Sequence, residues 1–429
     1  MRDSFITRIE GEGRIYIYFR DGGVSKVSVE ITEAPRFFEH IVRGKRIDYI
    51  PDILSRVCGL CGSSYVLAAV RAFEKCLGVR VPEEVDEFRK MVHLAERVKS
   101  HILHVFLLNL PDFIRVRDAF ELRLVNEDVF KSVMRLMAYS RNIMNILGGR
   151  SHNVVNMRIG GVYRALSRDE VAKVVKFVED LLNSFKPLAD IVLSLSTVPN
   201  DYLDRPHLLL SYEKEYPHVS DEIVFSSPVG EERICVEDFE HAVSAEQVRG
   251  GNALLYRYRG WSYIVGPIAR FNAAFSKLHG EVRDLLKSSG WLRPLSDVRQ
   301  QVVARVAEVY DALLTMREYL EEYREPPATW VEYRGLGSGK ATCVAAVEAP
   351  RGVLYHRFTI DNQLRVLECN IITPTAQNIA SMEELSLEFL SRKHRGEIDE
   401  ETAKKRVEEI VRAFDPCISC SVHAHVLKS

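Results

Sequence analysis

Apolar and polar residues alternate with period two near the start of the chain, in Arg14-Ile15-Tyr16-Ile17-Tyr18-Phe19 and again from Val24 to Ile31. Asp21-Gly22-Gly23 lies between the two runs, so the pattern predicts a β-hairpin over 14–32. The period then changes. The apolar stretch from Val66 to Leu77 predicts a helix, and Val85, Phe88, Met91, Val92, Leu94, Val98 and Leu103 form a helical stripe. That stripe predicts one long helix over 83–109, ended by Pro111. Helical patterns follow over 118–147, 168–195, 264–289 and 297–323, interrupted or bounded by Pro187 and Pro294. Residues 200–235 read as irregular and partly stranded, and 341–372 as β-rich. Helices over 378–393 and 398–413 complete the pattern.

The expected class is α+β, mainly helical, with a central helical bundle and small peripheral sheets. Repeats, low-complexity segments and linkers are not evident, so residues 1–429 read as a single unit. A formal net charge of −2 argues against nucleic acid as a partner. No apolar run reaches the roughly 18–20 residues of a membrane helix, so no direct membrane span is expected. Met1-Arg2-Asp3-Ser4-Phe5 carries no apolar signal segment, and a cytoplasmic location is expected, although a partner can carry an export signal for both.

The chemistry is concentrated in cysteine. Cys58-Gly-Leu-Cys61 and Cys417-Ile-Ser-Cys420 are two Cys-x-x-Cys pairs at opposite ends of the chain. Four thiolates from both ends can close one soft-metal site, built from residues 56–65 and 415–423. Zinc, an iron–sulfur cluster and nickel all accept such a donor set, and spacing alone does not choose. Cys76, Cys235, Cys343 and Cys369 stand singly and read as ordinary buried small residues. Gly335-Leu-Gly-Ser-Gly339-Lys340 imitates a phosphate loop, but the glycines are too close and Ala341 follows the lysine, so no nucleotide site is expected there.

The two cysteine motifs resemble the first and last signatures of the large, catalytic subunit of nickel–iron hydrogenases. Five stretches between and around them are similar to that family in the same order: Arg8-Ile9-Glu10-Gly11, Arg36-Phe37-Phe38-Glu39, Ser100-His101-x-x-His104 running to Pro111-Asp112, Glu348-Ala349-Pro350-Arg351-Gly352, and Ile372-Thr373-Pro374-Thr375. The resemblance implies the hydrogenase large-subunit fold and reversible heterolytic cleavage of dihydrogen. Cys58 and Cys417 would be terminal nickel ligands, and Cys61 and Cys420 would bridge nickel and an iron carrying one carbon monoxide and two cyanides. Cys417 would take the proton and Glu10 would relay it. Arg351 would present a cation or a base at the open face, with Asp112 as an acidic partner nearby. Thr373, Pro374 and Thr375 would cradle the cyanides. Glu39, the carbonyl of Ile371 and His423 would hold magnesium.

The resemblance also implies partners: an iron–sulfur small subunit, and flavin-, NADP- and ferredoxin-like subunits holding the remaining cofactors. A maturation protease would cut after His423 and remove 424–429 as a propeptide. Within the family the motifs look most similar to cytoplasmic NADP-linked or polysulfide-reducing enzymes. A ferredoxin-linked membrane complex and a noncatalytic complex I-like subunit are the alternatives, the latter lacking these cysteines. Three positions depart from the pattern. Tyr65 stands where the family has histidine, Glu12 where many relatives have histidine, and Asn153 where proline is common.

Overall fold

The computed structural model describes residues 2–20, 23–195, 201–247, 251–291, 294–393 and 399–421. The expected hairpin is formed by Gly13–Arg20 and Gly23–Ile31, with Ile15 and Ile17 turned inward at alternate positions. A strand the pattern did not announce, Arg2–Phe5, pairs antiparallel on the outer edge of this hairpin. The sheet lies against the Pro374–Lys393 helix, where Glu383 accepts from the Val29 amide at 2.8 Å.

The bundle is built from Glu83–Ile102, Glu127–Gly148, Arg168–Leu195 and Gln301–Glu321. Gln301–Glu321 is buried on nearly every side, including Arg305 and Glu308. Such a helix is a core element, and its charges need partners. The long helix expected over 83–109 does not end at Pro111. Its regular part stops at Ile102, Leu103–Asn109 form wider π-helical turns, and Leu110–Ile114 closes the segment. Pro111 falls in the first turn of that last piece, where a missing N–H breaks no bond. The helix expected over 118–147 is also divided. Asp118 caps Ala119–Val125, and Asn126 caps Glu127–Gly148 by accepting from the Val129 amide at 3.0 Å. The pattern over 264–289 resolves into Pro267–Ala274 and Gly280–Ser288.

The β-rich segment is a three-stranded antiparallel meander of Lys340–Ala349, Gly352–Asp361 and Val366–Ile372. It packs on the Gly62–Leu77 helix, which follows the first cysteine pair. Cys76 of that helix is disulfide-bonded to Cys343 of the sheet. The expectation of four ordinary buried thiols is therefore corrected for three of them. Cys76 and Cys343 are joined, Cys235 is exposed, and of these four only Cys369 is a free buried thiol. Lys340 opens a strand and the Gly335–Gly339 segment is loop, with no helix after it to hold a phosphate. Among the described residues no helix is long and apolar enough to cross a membrane.

Candidate metal centre

Both cysteine pairs sit where a helix begins. Cys58 and Cys61 precede Gly62–Leu77, and Cys417 precedes the short Ile418–Ser421 helix. A parallel β-bridge brings the ends of the chain together: Glu10 pairs with Cys417, and the Ile418 amide donates to the Glu10 carbonyl at 2.9 Å. Gly11 makes this approach feasible, because a Cβ there would lie 2.7 Å from the Ile418 Cβ, and its φ is +83°. The Arg36 guanidinium donates to the carbonyls of Val57 and Ser419, stapling one cysteine segment to the other. Arg36 belongs to a motif legible in the sequence, but this bridging role was not.

All four sulfurs are buried and lie within 4.8 Å of one another. Cys58 Sγ is 3.4 Å from Cys417 Sγ, and Cys61 Sγ is 3.7 Å from Cys420 Sγ. Burial pushes the Cys417 and Cys420 thiols well above the usual range and Cys61 to about 11. Only Cys58 is held low, because hydrogen bonds from the other three thiols outweigh its burial. The protein alone therefore does not hold four thiolates in this dry pocket. A bound thiophilic cation would, and the donor set fits one.

Glu10 reaches the cluster with its side chain. Its Oε2 is 3.2 Å from Cys417 Sγ and accepts from the Ser419 amide at 3.0 Å, while the Ser419 hydroxyl donates to Oε1. Thr375 accepts from the Cys417 amide at 3.0 Å. Thr373 is buried and accepts from the Ala376 amide at 3.5 Å, and Pro374 opens the helix between them. Arg351 is buried in the turn between two strands. Its Nε donates to the Asp415 carbonyl at 2.6 Å, Nη2 to Asp415 Oδ1 at 3.0 Å, and Nη1 lies 3.4 Å from Ser100 Oγ. Burial alone would lower its pKa, but Asp415 and the Cys417 sulfur hold it well above the ordinary value. Arg351 is held here as a cation by the buried Asp415 carboxylate.

The acidic partner of Arg351 is Asp415, so the expectation for Asp112 is corrected. Asp112 is paired instead with Arg8 at 2.5 Å and with both ends of the Arg412 fork at 2.9 Å. Two arginines saturate its oxygens and tie the N-terminal segment to the last long helix. Asp415 lay in plain view in Asp-Pro-Cys, but its φ of 55°, which turns it back toward Arg351, has no sequence signature. His101 and His104 are also engaged, with Glu308 at 2.7 Å and the Arg412 carbonyl at 2.8 Å. Burial drives His101 down to about 3 and His104 well below its usual value, so both are neutral.

On the other side of the cradle, Glu96 accepts from the Ser63 amide at 2.6 Å, the Ser64 amide at 3.0 Å and the Ser64 hydroxyl at 2.7 Å. A carboxylate under the first turn of a helix is favoured by the exposed amides there. Tyr65 is buried, its ring 5.5 Å from that of His356, and its hydroxyl has no partner among the described residues. Glu39 is buried and accepts from the Ile371 amide at 2.7 Å, with burial pushing its carboxyl up to about 7. His423, the other side-chain ligand expected beside it, lies outside the described residues.

The family described as nickel-dependent hydrogenase matches residues 36–131 and 256–423. Sulfhydrogenase 2 subunit alpha of Pyrococcus furiosus is 32% identical, over 98% of each chain. Sulfhydrogenase 1 subunit alpha of the same organism is 31% identical, over 97% of this chain and 96% of that one. The fold is similar to a crystal structure of a NAD+-reducing [NiFe]-hydrogenase in the H2-reduced state, with a TM-score of 0.86 at 21% identity, covering 99% of this chain and all of that one. With a four-cysteine cluster, collinear motifs and matches along nearly its whole length, this chain belongs to the nickel-dependent hydrogenase family, as a catalytic large subunit.

Proposed function

We propose that this chain splits dihydrogen at the four-cysteine cluster and releases the proton through Cys417 and Glu10. The electrons then leave through an iron–sulfur small subunit toward NADP or polysulfide. The observation that carries the reading is the 3.2 Å contact between Cys417 Sγ and Glu10 Oε2, with Glu10 fixed from behind by the Ser419 amide. Nickel and iron, held by Cys58, Cys61, Cys417 and Cys420, supply the heterolysis when bound.

The residues of the chain supply the rest. The Cys417 sulfur accepts the proton, and Glu10 takes it from there within hydrogen-bond reach. Ser419 keeps the carboxyl in one orientation, so the transfer needs no rearrangement of the acceptor. Arg351, anchored by Asp415, places a permanent positive charge beside the sulfurs. In this reading Thr373, Pro374 and Thr375 would line the pocket beside an iron carrying two cyanides and one carbon monoxide. Glu39, the Ile371 carbonyl and His423 would hold magnesium, for which a buried Glu39 carboxylate is a suitable oxygen donor.

The names of the Pyrococcus relatives support an acceptor that includes sulfur. Phe37, Ile41 and Tyr49, which precede the first cysteine pair, are exposed apolar residues of the kind a small subunit covers. Flavin, NADP and further clusters belong on such partners. An infrared spectrum of the anaerobically purified complex tests the reading. Bands of metal-bound carbon monoxide and cyanide are expected, and their absence from metal-replete protein would sink it.

A further inference from the structure

Arg270 lies outside the metal cradle, on the Pro267–Ala274 helix, and is wholly buried. Its Nε donates to Glu308 Oε1 at 2.7 Å and Nη2 to Glu308 Oε2 at 2.8 Å. Nη1 donates to Glu348 Oε2 at 2.7 Å. The two remaining N–H groups go to the carbonyls of Ala349 at 3.1 Å and Pro350 at 2.9 Å. All five guanidinium donors are therefore used. The last two acceptors are the two residues immediately before Arg351.

Glu308 links this arrangement to the opposite flank of Arg351. It also accepts from the Tyr216 hydroxyl at 2.7 Å and meets His101 Nε2 at 2.7 Å. His101 follows Ser100, whose hydroxyl lies 3.4 Å from Arg351 Nη1. Gly266, just before the Arg270 helix, closes the arrangement. Its φ is +115°, and a Cβ there would lie 2.7 Å from the Arg351 carbonyl oxygen. The backbone on both sides of the Arg351 guanidinium is thus referenced to one buried ionic group.

Such a group is an uneconomical way to stabilise a core, because apolar residues of the same volume do as well or better. What it provides is geometry. A planar fork fixes two successive carbonyls and two carboxylates at once, and a lysine, with a compact charge, does not. We infer that Arg270, clamped by Glu308 and Glu348, is the positioning residue that sets where Arg351 stands beside the four-cysteine cluster. The inference rests on the proposal that Arg351 acts in dihydrogen cleavage.

The test uses the complete complex and four variants: Arg270→Lys, Arg351→Lys, the double variant, and Gly266→Ala. Arg270→Lys is expected to keep its nickel and iron, melt within about 5 °C of the parent, and lose about 10–100-fold in kcat with little change in KM for dihydrogen. Arg351→Lys is expected to lose about 100-fold or more, and the double variant to be no worse than it within about threefold. The infrared bands of the diatomic ligands are expected to shift in the same direction in both single variants. Arg270→Lys retaining more than about half the activity would overturn the inference, as would a double loss equal to the product of the single ones. An active Arg351→Lys would sink the proposal beneath it. Loss in Arg351→Lys alone, with Arg270→Lys active, would sink only the positioning role. If Arg270→Lys does not assemble, Gly266→Ala decides, because it presses on the Arg351 carbonyl and leaves every charge in place. About a tenfold loss is expected there, and unchanged activity would overturn the inference.

Discussion

The two cysteine pairs are chemically identical on paper and are held in opposite ways. Cys58 Sγ receives two backbone amides, from Leu60 at 3.2 Å and Cys61 at 3.1 Å. Behind it, Glu96 fixes the Ser63 and Ser64 amides of the helix, and the sulfur is buried. Cys417 Sγ instead faces an acceptor, Glu10, at 3.2 Å. Amides pointed at sulfur stabilise a thiolate, whereas a carboxylate beside sulfur stabilises a thiol. Cys58 is placed to stay anionic, and Cys417 to exchange a proton. Spacing within Cys-x-x-Cys carries no trace of that division, which is written in residues 10, 96 and 419.

The contrast can be broken most severely at Glu10. Glu10→Gln keeps the size and can still accept from the Ser419 amide, but it removes the proton acceptor. Turnover is expected to fall by about 10²–10⁴-fold while metal content and melting temperature hold. A comparison of dihydrogen oxidation rates with bound nickel checks this, and full activity would remove the functional half of the contrast. Arg36→Ala acts on both pairs at once, since it releases the staple between Val57 and Ser419. It is expected to cost about 2–4 kcal/mol, seen as a lower melting temperature and poorer metal retention.

Glu96→Gln sharpens the rigid side. Burial raises the Glu96 carboxyl above its usual 4.5 despite Lys99 and the Ser63 and Ser64 donors. A folded-state value above the unfolded one means that the charged form is penalised on folding. The parent should therefore lose stability relative to Glu96→Gln as pH rises from 4.5 through the folded value, and the gap should close below it. Melting curves of both proteins across that range check the sign. The smallest effect is expected at Tyr65. Its hydroxyl is buried without a partner among the described residues, so Tyr65→Phe should change stability by no more than about 1 kcal/mol. A larger loss in denaturant titration would show that the phenol has a bond in the loaded site.

Much of this was legible in the sequence, for identifiable reasons. Periodicity located the hairpin and the bundle because each buries one face, and the collinear motifs located the cluster. Pro111 misled because a proline in the first turn of a helix is as acceptable as one after its end. Asp112 misled because its neighbours in space, Arg8 and Arg412, come from opposite ends of the chain. The Cys76–Cys343 bond joins residues 267 positions apart, and neither cysteine sits in a motif. Arg270 was invisible for the same reason, since a lone arginine in a helical pattern reads as a solvated surface residue until its five acceptors are in place.

The bridge between Glu10 and Cys417 has a consequence for how the protein is made. Ligands 359 residues apart cannot meet until every element of the core has left the ribosome. Until then Cys58 and Cys61 wait at the floor of an open cradle with no second wall. Closing so long a loop costs several kcal/mol of chain entropy, by the logarithmic dependence on length. A metal held by both pairs offsets that cost. The centre that performs the chemistry is then also the clasp that tells the chain it is finished.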